Sequence, residues 1–177
     1  MTGTTANGPR GRIVVGVDGS VSSKDALRWA ARQAELTRAR VEAVMAWSVS
    51  PAAFPLTTPA PLAHDMGPQV EEQLERIISQ VRREFPTVEI SNVAREEWAG
   101  RALLAVAENA DLLVVGSRGH GAVVGLLLGS VSEYCVTHAR CPVVVIRHGK
   151  DAAVGGDAPA GPSSEALMKG TRKVAAR

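Results

Sequence analysis

The residues whose types and spacing suit chemistry form one run late in the chain. Gly116-Ser117-Arg118-Gly119-His120-Gly121 is followed by seven further residues and then by Gly129-Ser130-Val131-Ser132-Glu133. Glycine adopts positive φ or lets backbone come close to a ligand, the use expected at Gly119 and Gly129. Ser130 reads as the start of a helix, whose first amides and dipole favour an anion. The amides of Gly129 to Ser132, with the Ser130 and Ser132 hydroxyls, would then form a phosphate cradle. The same letters, Ser130 to Glu133, also spell a capping box that satisfies orphan amides with no ligand. Spacing alone leaves both readings open. Arg118 either neutralises phosphate charge, for which a guanidinium is well shaped, or faces solvent.

Asp18, in Val17-Asp18-Gly19-Ser20, is the second group of interest. A carboxylate there can accept hydrogen bonds from ribose hydroxyls, or it can simply organise the turn before a helix. Other chemistries lack their signatures. The dinucleotide fingerprint needs G-x-G-x-x-G after the first strand, and here G-x-x-G-x-G follows the fourth. A Walker A loop needs G-K-[ST], and no lysine occurs between Lys24 and Lys150. The G-x-S-x-G spacing of a hydrolase nucleophile is missing around Ser130. Four scattered histidines show no zinc-ligand spacing. His120 reads as a loop residue and His138 as a helix C-terminal one stabilised by the dipole. Cys135 and Cys141 read as structural. No catalytic or metal-ligating residue is assigned.

These groups need elements to hold them. Ile13 to Val17 is apolar on both faces, as a central parallel strand should be. Ser22-Ser23-Lys24-Asp25 resembles a capping box opening a helix that runs to about Arg38, with Leu27, Ala30 or Ala31, and Ala34 inward. Val41 to Ala46 is a second strand. Val70, Leu74, Ile77, Val81 and Phe85 follow helical steps, and Pro86 ends that helix. Residues 88–93 alternate as a strand near an edge does, residues 99–109 form a helix on Leu103, Leu104 and Ala107, and Leu112 to Val115 is another buried strand. The last helix, from Ser130 to about His138, precedes a strand from Val143 to Ile146. The order β-α-β-α-β-α-β-α-β predicts an α/β fold, a single doubly wound parallel sheet with helices on both faces. Ligands bind such sheets beyond the carboxyl ends of the strands, here after strands one and four.

Composition narrows the partners. Of 177 residues, 3% are aromatic, too few for a base-stacking platform. The net charge of +2 resides in residues 149–177, so residues 1–148 are formally neutral and offer no field for a phosphate backbone. Nucleic acid is not an expected partner. The opening residues lack the apolar stretch of a signal peptide, and no apolar run approaches the ~18 residues of a membrane span. A cytoplasmic protein without membrane partners is the expectation. Residues 1–11 read as a flexible N-terminal tail, residues 12–148 as one domain, and residues 149–177 as a disordered C-terminal tail. Residues 47–66, with four prolines, read as a long loop.

Three stretches carry a family resemblance: Val-Gly-Val-Asp-Gly-Ser at the start, Ala-Asp-Leu-Leu-Val-Val-Gly-Ser-Arg-Gly, and Cys-Pro-Val-Val-Val-Ile near residue 146. Over residues 12–147 the chain resembles the universal stress protein family. The G-x2-G-x9-G-[ST] pattern of its ATP-binding branch is matched by Gly116, Gly119, Gly129 and Ser130. The resemblance implies a five-stranded sheet of order 3-2-1-4-5. It implies ATP, with Mg²⁺, as the ligand, Asp18 on the ribose, and Val44 against adenine. Gly16 joins the implied set, and Gly116, Arg118, Gly119, Gly129, Ser130, Val131 and Ser132 would hold the phosphates. It also implies a homodimer formed through Val143–Ile146, pairing that would cover an apolar edge. The expected function is that of an ATP-binding stress-response regulator. The alternatives are a slow ATPase, for which no base or second carboxylate is evident, and an ATP-independent interaction module.

Overall fold

Alternating β-branched residues settle which way each strand faces. In β1 (Arg12–Gly16), Ile13 and Val15 turn to one side of the sheet and Val14 to the other, all three buried. The chain in this computed structural model is described over residues 11–48, 66–119 and 128–148. The remaining elements are α1 (Val21–Thr37), β2 (Arg40–Trp47), α2 (Gly67–Glu84), β3 (Ile90–Glu96), α3 (Ala99–Val106), β4 (Leu112–Gly116), α4 (Ser130–His138) and β5 (Val143–Ile146). All strand pairs are parallel, in the order β3-β2-β1-β4-β5. The expected fold class and strand order are the observed ones. The expected tails over 1–11 and 149–177, most of the 47–66 loop, and His120 lie outside the described residues.

The sheet has a core on each face. Small residues on α1 (Ala26, Ala30, Ala31, Ala34) let it lie close to the strands, and Leu74, Ile77, Ile78 and Val81 of α2 complete that side. The other face is covered by Leu103 and Ala107 of the α3 segment and by Cys135 of α4, against Val14, Val44, Leu113 and Val115. Among the described residues, no helix is long and apolar enough to cross a membrane.

Several boundaries differ from the sequence reading, each for a local reason. Helix α1 is capped by Ser20, whose side chain accepts from the Ser23 amide at 3.2 Å, so Ser22 and Ser23 lie inside its first turn. Strand β3 starts at Ile90, because the Val88 amide donates to the Phe85 carbonyl and stays in the turn that closes α2. Helix α3 ends at Val106, and Asn109 then takes the left-handed conformation (φ 61°), which asparagine tolerates better than most residues.

Leu74 is fully buried between α2 and the sheet, so Leu74→Ala should destabilise the fold by about 2–5 kcal/mol in urea unfolding. Cys135 generates a pH prediction. Burial, reinforced by the nearby Cys141, pushes its thiol from about 9 up to about 11. The folded state therefore keeps a proton that the unfolded state releases. Its contribution is complete below about pH 9 and is lost as pH rises towards about 11. Cys135→Ala should flatten the alkaline fall in stability across that window, measured by denaturation at a series of pH values.

Candidate functional site

The first half of the site is a turn. Gly19 has φ 88°, the left-handed region that favours glycine, and it swings the chain from β1 into α1. Asp18 Oδ1 accepts the Ser20 amide at 2.9 Å, and the Asp18 amide donates to Ser23 Oγ at 3.3 Å. Asp18 therefore does organise the turn. Its other oxygen faces the glycine run, where a Cβ on Gly119 would collide with Oδ2. One oxygen holds the loop while the other fronts the crevice.

The second half begins where β4 ends. A Cβ on Gly116 would lie 2.7 Å from Ser22 Oγ and 3.0 Å from both Ser22 C and Ser23 N. Two of those contacts are backbone, which cannot move aside, so glycine is required by the close approach of α1. Three successive carbonyls beyond this point are held by protein donors. Gly116 O accepts from Ser132 Oγ at 2.6 Å, Ser117 O accepts from the Gly129 amide at 2.8 Å, and Arg118 O accepts from Ser22 Oγ and from Ser20 Oγ, the latter at 3.5 Å. The negative ends of these dipoles are thereby occupied.

The amides opposite them are not. The first intrahelical bond of α4 runs from the Glu133 amide to Gly129 O at 2.9 Å. The amides of Ser130, Val131 and Ser132 precede it and, like that of Gly119, have no partner among the described residues. The capping-box alternative does not form. Gly129 is the N-cap, with no side-chain cap bond, and Ser130 is already helical. The reason is the bond from the Gly129 amide to Ser117 O, which holds Gly129 extended at φ −78°, ψ 159°. Neither Gly119 nor Gly129 uses positive φ, contrary to one expected use of these glycines. At Gly129 a Cβ would meet nothing closer than 3.6 Å, so neither backbone nor packing demands glycine there. The Ser132 hydroxyl is spent on Gly116 O, which leaves its amide, rather than its side chain, for an anion.

Between these halves lies a crevice of about 310 Å³ at the carboxyl end of the sheet. All ten residues singled out from the sequence line it: Gly16, Asp18, Val44, Gly116, Arg118, Gly119, Gly129, Ser130, Val131 and Ser132. Val44 and Ala46 of β2, Leu103 and Ala99 of α3, and Val115 make an apolar floor, while Asp18 Oδ2 lies against Gly119 of the glycine run. Gly16 permits this floor, since a Cβ there would come within 3.1 Å of Leu103 Cδ1. Val17, Ser23, Ala46, Ala99, Leu103 and Val115 also line the crevice and were not identified from sequence. Strand continuation could have flagged Val17 and Val115. Nothing local could have flagged Ala99 and Leu103, because the crossing of α3 over the sheet decides which of its residues overhang.

Other polar groups lie elsewhere. His138 Nδ1 pairs with Tyr134 O at 2.9 Å, and its ring stacks on Tyr134, which meets Trp98 edge-on. Cys135 is buried and Cys141 half-buried. Among the described residues, no cluster of three metal-ligating side chains occurs.

Comparison with known proteins agrees with this geometry. The model of the universal stress protein family matches residues 9–147. A universal stress protein of Mycolicibacterium smegmatis is 33% identical over 148 residues, covering 80% of this chain and 49% of that protein. The chain spans about half the length of the curated relatives it matches. Among solved structures, a universal stress protein in complex with cAMP has a TM-score of 0.55 at 24% identity, covering 77% of this chain and 96% of its own. One from Archaeoglobus fulgidus in complex with dAMP has a TM-score of 0.58 at 21% identity, covering 78% and 98%. With its parallel sheet, its matching glycine run and this family match over most of its length, the chain belongs to the universal stress protein family.

Proposed function

We propose that the chain is an adenine-nucleotide-binding regulatory protein that takes ATP, with Mg²⁺, in the crevice between β1 and β4. The observation that carries this reading is the division of the backbone dipoles. Three consecutive carbonyls are turned onto protein donors, while the amides of Gly119, Ser130, Val131 and Ser132, all crevice-lining, have no partner among the described residues. Such an arrangement suits phosphate oxygens. The floor of Val44, Ala46, Leu103 and Val115 suits the faces of a purine, and Asp18 Oδ2 suits a ribose hydroxyl. The structural neighbours bound to cAMP and dAMP support an adenine nucleotide as the class of ligand. The match to G-x2-G-x9-G-S favours the triphosphate.

Magnesium at such sites is held largely by phosphates and water, with one or two protein oxygens, a part the Ser130 hydroxyl would suit. It would supply charge neutralisation for the phosphates. Phosphoryl transfer also needs a group that orients the nucleophile. Asp18 is the carboxylate lining the described crevice, and its Oδ1 is already bonded to the Ser20 amide. Binding, rather than turnover, is the function this arrangement serves.

Assembly follows from β5, an edge strand of Val143, Val144, Val145 and Ile146 that stays partly exposed along its whole length. Pro142 O and Ile146 O accept from the amides of Leu113 and Ser117, so the parallel pattern turns the backbone groups of Val143 and Val145 to the open edge. We infer a homodimer in which this edge pairs with that of a second copy. Such pairing would cover a strand edge that otherwise invites aggregation.

Four measurements test these readings. Purified protein, denatured and run on an anion-exchange column, should release adenine nucleotide. ATP with Mg²⁺ at a hundredfold excess over its Kd should stabilise the fold by roughly 2.7 kcal/mol. Gly119→Ala, which drives Asp18 Oδ2 aside, should cut ATP affinity by about tenfold. Absence of both released nucleotide and calorimetric binding would overturn the reading. For assembly, Val145→Pro removes an outward-facing donor without touching the β4 ladder, and sedimentation should show a shift from dimer to monomer.

A further inference from the structure

Ser22 is a residue that no binding motif includes. It sits in the first turn of α1, nearly buried at 5% exposure, and lines no part of the crevice. Its hydroxyl nevertheless reaches across 96 positions of sequence to donate to the carbonyl of Arg118, and it lies 3.3 Å from Ser20 Oγ, which approaches the same carbonyl. The pairing is enforced by packing. Gly116 brings the end of β4 against Ser22 so closely that even a Cβ would be excluded.

The consequence concerns the other end of that peptide. A trans peptide is planar, with its C=O and N–H pointing in opposite directions. Because Ser22 holds the Arg118 carbonyl on the α1 side, the Gly119 N–H of the same unit is turned away from α1. It has no partner among the described residues, and Gly119 lines the crevice. Its nitrogen is 3.8 Å from where a Cβ on Gly129 would stand, beside the cap of α4 and its free amides. A rotation of this peptide would exchange a donor for an acceptor and place a carbonyl dipole against the phosphates.

We propose that Ser22 is a positioning residue for the nucleotide site, holding the Arg118–Gly119 peptide so that the Gly119 N–H is aimed at a phosphate oxygen. This rests on the adenine-nucleotide reading above. It predicts a dependence on ligand charge that general support of the fold would not produce. Adenosine carries the base and ribose without a phosphate, so it should not sense which way this peptide faces.

The experiment is calorimetric titration of wild-type and Ser22→Ala protein with AMP and with adenosine, alongside thermal melting. Loss of a hydrogen bond to a charged oxygen should weaken AMP binding by about tenfold, and adenosine affinity should stay unchanged. Ser22→Thr, which keeps the hydroxyl, should retain AMP affinity. In the wild type, the Gly119 amide resonance should shift on adding AMP and stay in place on adding adenosine, a readout that does not depend on the variant folding. Unchanged AMP affinity in Ser22→Ala, equal weakening of AMP and adenosine, or a Gly119 amide indifferent to AMP would each overturn the proposal. If the wild-type chain binds neither AMP nor ATP, the nucleotide reading itself fails. That result differs from a wild type that binds while Ser22→Ala binds equally well.

Discussion

The distance between the first turn of α1 and the end of β4 governs the rest of the site. Gly116 allows an approach at which a single added carbon would strike the backbone of Ser22 and Ser23. At that separation, side chains of one loop reach backbone groups of the other. Ser22 and Ser20 of one take the Arg118 carbonyl of the other. Were the two elements a residue's width further apart, this carbonyl would turn to water or to a ligand. The backbone at the mouth of the crevice would then present oxygens as readily as N–H groups.

The proposed anion site lies in a formally neutral stretch, residues 1–148. The glycine run from 116 to 129 holds no lysine and a single arginine, Arg118. On the proposed reading, backbone amides and the dipole of α4 would carry most of the attraction for phosphate. Amides work best when the carbonyls between them are neutralised, which accounts for three of them being occupied in succession. The apolar floor would complement this rim, because burying the faces of the proposed purine would provide affinity without further charge. Gly16 and Leu103 share that floor: removing the Cβ from one gives the other its place.

The two faces of the sheet divide the labour. The α1–α2 side is the larger core, filled by small residues on α1 and by a full amphipathic stripe on α2. The α3–α4 side is thinner, and both of its helices contribute residues to the crevice: Ala99 and Leu103 from α3, and Ser130 to Ser132 from α4.

Much of this protein was legible in its sequence. Switches between periods of two and about 3.6 residues set the order of elements, since side-chain direction along a strand or helix is a local property. The alternation of those elements set a parallel, doubly wound sheet, and glycines and serines at fixed offsets marked the residues now seen around one crevice. What local pattern could not decide was whether Ser130 or Gly129 would cap α4, because the deciding bond comes from Ser117, across the glycine run. Nor could it reveal that one oxygen of Asp18 serves the turn while the other faces the glycine run, or that α3 supplies part of the floor. Ser22 is the plainest case. Its letters suggested a helix cap, yet its hydroxyl serves a carbonyl 96 residues away. Capping and periodicity act over a few residues of chain, whereas such contacts exist only once strand order has brought β1 beside β4.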